Sequence, residues 1–269
     1  MALVDPESWL QRPSMLQSCE VFDSLPSTND YARQRAREQP PPGMHLIVAW
    51  EQTRGRGQHD RVWNSSTGSL TLSLLFPSTM LPGSFDLAQI GQLSVTTALG
   101  IRDALQPFVA QPVQVKWPND VIVCGGKVAG ILIESITTRP MALIVGIGIN
   151  ANNKIEHPTA TSDRPSAPYP AISLAQVAGH SLDLFQIMQS LIDALQAVWL
   201  HDPPRERALV DRWSQSCCLT GYRVEVESGS KREAGVCAGI DEQGRLILFG
   251  ANQRHHYVSG TVRHVKESS

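Results

Sequence analysis

Long apolar runs are missing from this 269-residue chain. No stretch approaches the roughly eighteen apolar residues that cross a bilayer, and the opening Met-Ala-Leu-Val-Asp-Pro-Glu has no basic region followed by an apolar one. A span and a secretory leader are therefore not expected, and the chain reads as cytoplasmic. An excess of either charge is missing too, with 23 Lys and Arg against 25 Asp and Glu. That balance gives no basic field for duplex DNA or an anionic lipid surface, so neither nucleic acid nor membrane is expected as a partner. Cysteine is sparse and odd in number: Cys19, Cys124, Cys217, Cys218 and Cys237 form no Cys-x-x-Cys pair and no zinc-like spacing with the 8 histidines. Buried thiols, without a metal held by protein ligands alone, are what this pattern predicts. Gly-x-x-x-x-Gly-Lys-Ser/Thr and Gly-x-Gly-x-x-Gly, the two common phosphate loops, are both absent. Repeats and low-complexity tracts are absent as well. What is there is an ordinary 42% apolar content, enough for one large core domain and a small module.

Patterning divides the chain at about residue 214. Strands are predicted at Cys19 to Ser24 and at His45 to Glu51, separated by a helix that Ser27 or Thr28 caps and Asp30 charges in its first turn. Ser69 to Phe76 alternates with period two, as a half-buried strand does. Apolar residues at helical spacing from Leu87 to Leu105 predict a core helix, capped by Ser84 and stopped by Pro107. Val113 to Trp117 reads as a strand halting at Pro118, Val121 to Val123 as its continuation, and Gly125-Gly126 as a hairpin into Val128 to Glu134. Ala142 to Ile149 follows as a buried strand. A Pro, Thr and Ser-rich stretch from Asn153 to Pro170 reads as a surface loop or a substrate-facing flap before a helix near Phe185 to Leu200. After Pro203-Pro204 and a last helix, five short strands between Tyr222 and Val265 predict a small barrel. Residues 1–214 and 215–269 are thus expected to form two domains, in an α+β fold whose sheet is mixed and largely antiparallel.

Chemistry concentrates in four segments. From Glu51 to Trp63, arginines at 54, 56 and 61 alternate with Gly55 and Gly57 and lead to an indole. Glycine lets backbone N–H groups approach a ligand, and guanidinium forks bind carboxylate or phosphate in two-point fashion. The other segments are Ser27-Thr28-Asn29-Asp30, Lys116-Trp117-Pro118-Asn119-Asp120 with Lys127-Val128-Ala129-Gly130, and Gly146-Ile147-Gly148-Ile149-Asn150. Each has a plain reading beside the functional one. Ser27 and Thr28 cap a helix, Pro-Asn-Asp makes a turn, Lys127 is a solvated lysine after glycines, Trp63 is a core indole, and Gly146 marks a bulge.

In this order and spacing the four segments resemble those of the biotin protein ligases, which activate biotin with ATP and attach it to a lysine of biotin-dependent carboxylases. The resemblance extends to the terminal residues, where Gly239-Ile240-Asp241 and Ser259-Gly260-Thr261-Val262 look like that family's last, SH3-like domain. It implies biotin and ATP as substrates, Mg2+ as cofactor, a biotin carboxyl carrier protein or domain as partner, and a homodimer as one assembly left open. By the same resemblance Arg56 neutralises the phosphate, Lys127 bridges carboxylate and phosphate, and Asp120 assists attack by the acceptor lysine. Ser27, Thr28, Asn29 and Gln52 are expected around the ureido ring, with Gly55, Gly57, Gln58, Trp63, Gly130 and Gly146 along the biotin and adenylate. Arg61, Lys116, Asn119, Asp120 and Asn150 are expected at ATP. Where many relatives carry arginines or a glycine, this chain has Gln58-His59-Asp60, which predicts a leakier adenylate. About twenty residues precede the first ligase-like strand, too few for three helices, so a DNA-binding domain is not expected. The competing readings are a lipoate or octanoate ligase or transferase, a non-catalytic biotin or nucleotide sensor, and an acceptor-binding scaffold.

Overall fold

Period-two alternation decides the first sheet. In β2 (Met44–Gln52) and β3 (Leu70–Pro77), Leu46, Val48, Leu70, Leu72, Leu74 and Phe76 turn to one face, while Ile47 and Leu75 turn to the other. The structure, a computed structural model, describes residues 15–58, 61–82, 85–155, 169–201, 206–250 and 253–264. The expected cap at Ser84, His59-Asp60, most of the Asn153 to Pro170 segment, Pro203-Pro204 and Val265 lie outside them.

The sheet has seven strands in the order β1-β2-β3-β7-β6-β5-β4, with β1 (Leu16–Leu25), β4 (Val113–Lys116), β5 (Asp120–Val123), β6 (Gly126–Ile136) and β7 (Ala142–Ile149). Only the β1–β2 pair is parallel, as a chain that crosses over through a helix requires. That helix, α1 (Thr28–Glu38), has the Ser27 hydroxyl accepting from the Asp30 N–H at its start. It covers one face through Ala32 and Ala36, which meet Ile47, Leu75, Ala142 and Ile144. The opposite, larger face lies under α2 (Ile90–Leu105), whose side chains enter the main core with those of the helices described next.

Past the flap segment come α3 (Leu174–Ala178), a single turn and a half that the sequence reading did not anticipate, and α4 (Leu184–Gln196). Residues Ala197–His201 continue α4 as a π turn, and α5 (Glu206–Ser216) ends two residues past the expected boundary. The lead into α2 is capped by Asp86 in a capping box with Gln89.

Two local readings are corrected. Asp120–Val123 does not continue the preceding strand: the chain reverses across Trp117-Pro118-Asn119, and Lys116 faces Asp120 in an antiparallel pair. The hairpin into β6 turns on Cys124 and Gly125, at φ 49° and 70°, rather than on Gly125-Gly126. Both central residues of a type I′ turn need positive φ, and Gly126 is instead required because a Cβ there would meet Ile172.

The C-terminal part forms its own five-stranded antiparallel sheet, in the order β11-β10-β9-β8-β12. Its strands are β8 (Arg223–Ser228), β9 (Lys231–Ile240), β10 (Leu246–Phe249), β11 (Arg254–Tyr257) and β12 (Thr261–His264). The first half of β9 pairs with β8 and the second with β10, so one strand serves both ends of the module. Two hydrogen bonds seat it on the first sheet: the Trp117 indole donates to Gly244 O at 3.0 Å, and Cys218 N–H to Val115 O at 3.0 Å. No helix among the described residues is long and apolar enough to cross a membrane.

Candidate active site

Residues that turn away from the main core line up in rows across β2, β3, β7 and β6. Ile47, Ser73, Gly146 and Leu132 form one row, and Ala49, Thr71, Gly148 and Gly130 the next. The glycines make this floor hollow. A Cβ at Gly146 would collide with the Asn29 carboxamide, and one at Gly148 with the Trp63 indole. Above the floor opens a cleft of about 190 Å³.

Its polar end is built at the start of α1. Thr28 presents its N–H and hydroxyl to Gln52 Oε1, at 2.8 and 3.2 Å. The Ser73 hydroxyl donates to Asn29 Oδ1 at 2.7 Å and lies 2.8 Å from Thr28 Oγ1, while Asn29 Nδ2 donates to Leu132 O at 3.2 Å and Glu134 Oε2 at 2.9 Å. Ser27, Thr28 and Asn29 are all buried. Helix capping and cleft lining are therefore combined in Ser27 rather than being alternatives.

The Gly/Arg loop folds back on itself: Gly57 N–H donates to Arg61 O at 2.7 Å and Trp63 N–H to Gly55 O at 3.0 Å. This closure lays the Trp63 ring on Gly148. Its Nε1 is buried against Gly148 and has no hydrogen-bond partner among the described residues. Arg56 is held by two carboxylates, Asp30 Oδ1 at 2.6 Å and Glu134 Oε1 at 3.1 Å. Burial pulls its guanidinium down, but Glu134 and Asp30 more than offset this and hold it above its ordinary value.

At the other end Asp120 sits between two ammonium groups, Lys127 Nζ at 2.5 Å and Lys116 Nζ at 3.7 Å. Lys116 is nearly fully buried, and burial pushes its ammonium below its ordinary range although Asp120 partly compensates. Lys127 Nζ stands 5.6 Å from the Trp63 ring and Lys116 Nζ 5.6 Å from the Tyr169 ring, both within reach of a cation–π contact. Among the described residues no group of three or more His, Cys, Asp or Glu is placed to hold a metal. The cleft carboxylates are each paired with cations, so a divalent ion fits only as a companion of ligand phosphates, its shell completed by water.

The structure brings Ser27, Thr28, Asn29, Gln52, Arg56, Gly57, Gln58, Arg61, Trp63, Lys116, Asn119, Asp120, Lys127, Gly130 and Gly146 to this single cleft. Gly55 and Asn150 are not among its lining residues. Gly55 is packed beneath the Trp63 carbonyl. Asn150 is buried behind the hairpin, with its N–H donating to Val128 O at 2.7 Å and Nδ2 to Lys127 O at 3.3 Å. It braces the backbone that carries Lys127. Asn119 lines the cleft but spends its Nδ2 on Ile131 O at 2.7 Å. Sequence reasoning missed Glu134, Tyr169 and Thr261. Tyr169 lines the cleft and meets His264 Nε2 at 2.6 Å, and Thr261 accepts from Arg61 Nη2 at 3.1 Å. The Asn153 to Pro170 segment and Ser259-Gly260-Thr261-Val262 were marked in the sequence without a site role for Tyr169 or Thr261, and nothing local marks Glu134.

Two of the five thiols, Cys217 and Cys237, are buried, and Cys19 and Cys218 are partly buried. Burial raises Cys19 and Cys237 to about 12 and Cys218 to about 11, and it pushes Cys217 up as well. Cys124 alone is exposed, at the hairpin.

Residues 21–152 match the model of the Biotin/lipoate A/B protein ligase family. A biotin–[acetyl-CoA-carboxylase] ligase of Paracoccus denitrificans is 34% identical over 214 residues, covering 77% of this chain and 85% of that protein. The Mycobacterium tuberculosis protein of the same description is 31% identical over 231 residues, covering 82% and 79%. Among solved structures, a biotin protein ligase from Aquifex aeolicus in complex with biotin and ATP superposes with a TM-score of 0.70 at 25% identity, covering 93% of this chain and 100% of that one.

Proposed function

Because the chain belongs to the biotin protein ligase family, we propose that it activates biotin with ATP to biotinyl-5′-AMP and then transfers biotin to a lysine of a biotin carboxyl carrier protein or domain. The observation that carries this reading is the cleft itself. It sets a polar, largely buried end beside a run of fixed cations, with the Trp63 ring among the lining residues.

In the first half-reaction a biotin carboxylate oxygen attacks the α-phosphorus of ATP, an acyl–phosphate bond forms, and pyrophosphate departs with the electrons of the broken P–O bond. Two anions must meet, and charge builds on the phosphoryl oxygens; cations fixed beforehand lower that barrier without reorganising. Arg56, Lys127 and Lys116 serve this purpose, Arg56 and Lys127 each pre-aimed by a carboxylate. Gln52 Nε2 and the buried hydroxyls meet the ureido group, which offers two donors and one strong acceptor. Magnesium would arrive on the nucleotide's phosphates and share their charge.

In the second half-reaction an acceptor amine attacks the acyl carbonyl and AMP leaves. The acceptor ammonium must first lose a proton, and Asp120 is the carboxylate within the cleft able to take it. Its pairing with Lys127 also positions that ammonium, so Asp120→Asn separates the two roles. A loss confined to transfer from preformed biotinyl-adenylate marks the base, a loss in adenylate formation marks the positioning role, and equal activity in both steps removes Asp120 from the mechanism. Residues 1–214 would carry the chemistry, with residues 215–269 as a second module closing the cleft, in the cytoplasm.

The direct test is incubation with biotin, ATP and magnesium, followed by mass spectrometry for biotinyl-adenylate, with lipoate and octanoate run in parallel. Formation of the biotin adduct is expected. No adenylate, or preference for lipoate or octanoate, would overturn the reading.

A further inference from the structure

Glu134 lies on β6 one row beyond the cleft floor, opposite Ile144, and its side chain is 16% exposed. Both oxygens are in use. Oε1 accepts from Arg56 Nη2 at 3.1 Å and from Arg33, while Oε2 accepts from Asn29 Nδ2 at 2.9 Å. One carboxylate thus touches the guanidinium at the anion end and the carboxamide at the polar end. Together with Leu132 O, which accepts from Asn29 Nδ2 at 3.2 Å, it turns Oδ1 toward the Ser73 hydroxyl and sets which way the amide faces. Its hold on Arg56, shared with Asp30, uses only the Nη groups, so Nε–H engages neither carboxylate.

We propose that Glu134 is a positioning residue for the reaction, setting the Arg56 guanidinium and the Asn29 carboxamide together and so coupling the seating of the biotin ring to the readiness of the anion site. This rests on the ligase reading for its kinetic consequences, though not for its geometry. A carboxylate is needed because all three neighbours donate: Arg33, Arg56 and Asn29 bring N–H groups only. A glutamine would turn an N–H2 group against one of them, which costs more than losing a single bond.

The test compares Glu134→Gln, Glu134→Asp and Glu134→Ala with the unaltered protein. In unliganded protein, the Arg56 Nη–H signals in nitrogen-15 NMR are expected to lose their protection from exchange in Glu134→Gln. In the same variant biotin Kd is expected to rise, and the rate of adenylate formation to fall, by about tenfold each, while KM for ATP moves less. Glu134→Asp should recover part of both. A purely structural role would instead lower the thermal midpoint and the active fraction with Kd and KM unchanged. Folded Glu134→Gln with protected Arg56 signals, or with unchanged biotin Kd, overturns the proposal. If the unaltered protein makes no biotinyl-adenylate, it is the ligase reading that fails, and the Arg56 signals still decide whether Glu134 positions that side chain.

Discussion

Cys124 occupies left-handed backbone at φ 49°, a conformation that glycine and asparagine adopt at little cost and other side chains resist. Cys124→Asn is expected to stabilise the protein by about 0.5–1 kcal/mol, read as a higher urea midpoint with the slope unchanged. Lys116 poses the opposite problem, a cation that burial disfavours. The unfolded chain holds this proton up to an ordinary value near 10.5, and the folded chain releases it earlier. The cost is therefore complete below the folded value and is relieved as pH rises through it toward 10.5. Lys116→Met should raise stability at pH 7 by about 1 kcal/mol, with the advantage shrinking in alkaline urea titrations, and should lower the rate of adenylate formation. Lys116 was legible because its motif is unusual and its neighbours in sequence are its neighbours in space, Lys116 and Asp120 facing each other across one reversal, whereas the turn role of Cys124 was not. Glu134 was not, since a lone glutamate near a strand end reads as solvated until the register places it beside Asn29 and Arg56.

At the scale of elements, the alternate glycines of β7 hold the site open. Gly148→Ala would push a methyl group into the Trp63 ring, and about a tenfold rise in biotin KM is expected with little change in thermal midpoint. An unchanged KM would mean that the indole has room to retreat. The strands themselves were visible, Ser69 to Phe76 in its alternation and Ala142–Ile149, to the residue, as a continuous apolar run of a strand buried on both faces. The reversal at Pro118 was not. Two short apolar runs broken by Trp-Pro-Asn look alike whether the chain bends or turns back, and only pairing across the gap tells them apart. Asn150 was misplaced for a similar reason: its motif neighbours face the cleft, yet its own side chain points behind the hairpin to Lys127 O.

For the whole molecule, the seam between the two sheets is where stability is put to the test. Trp117 is buried with its indole N–H on Gly244 O, so Trp117→Phe should cost about 1–2 kcal/mol, measured by urea unfolding, by leaving a buried carbonyl without its donor. On the same seam, burial and the nearby Lys116 hold the His264 imidazole below its ordinary 6.5. The unfolded chain takes up a proton there first, so this stability is complete above about pH 6.5 and is lost as pH falls through the folded value. Thermal midpoints should drop on acidification below that point, and His264→Gln should flatten the dependence. The existence of a second module was plain from its short strands and turns, whereas its role as a cleft wall required Arg61 and Thr261, 200 positions apart, to be seen together. That separation has a consequence for synthesis on the ribosome. Every other lining residue among the described ones is translated before Thr261, so a nascent chain carries an unfinished vessel until β12 has left the ribosome.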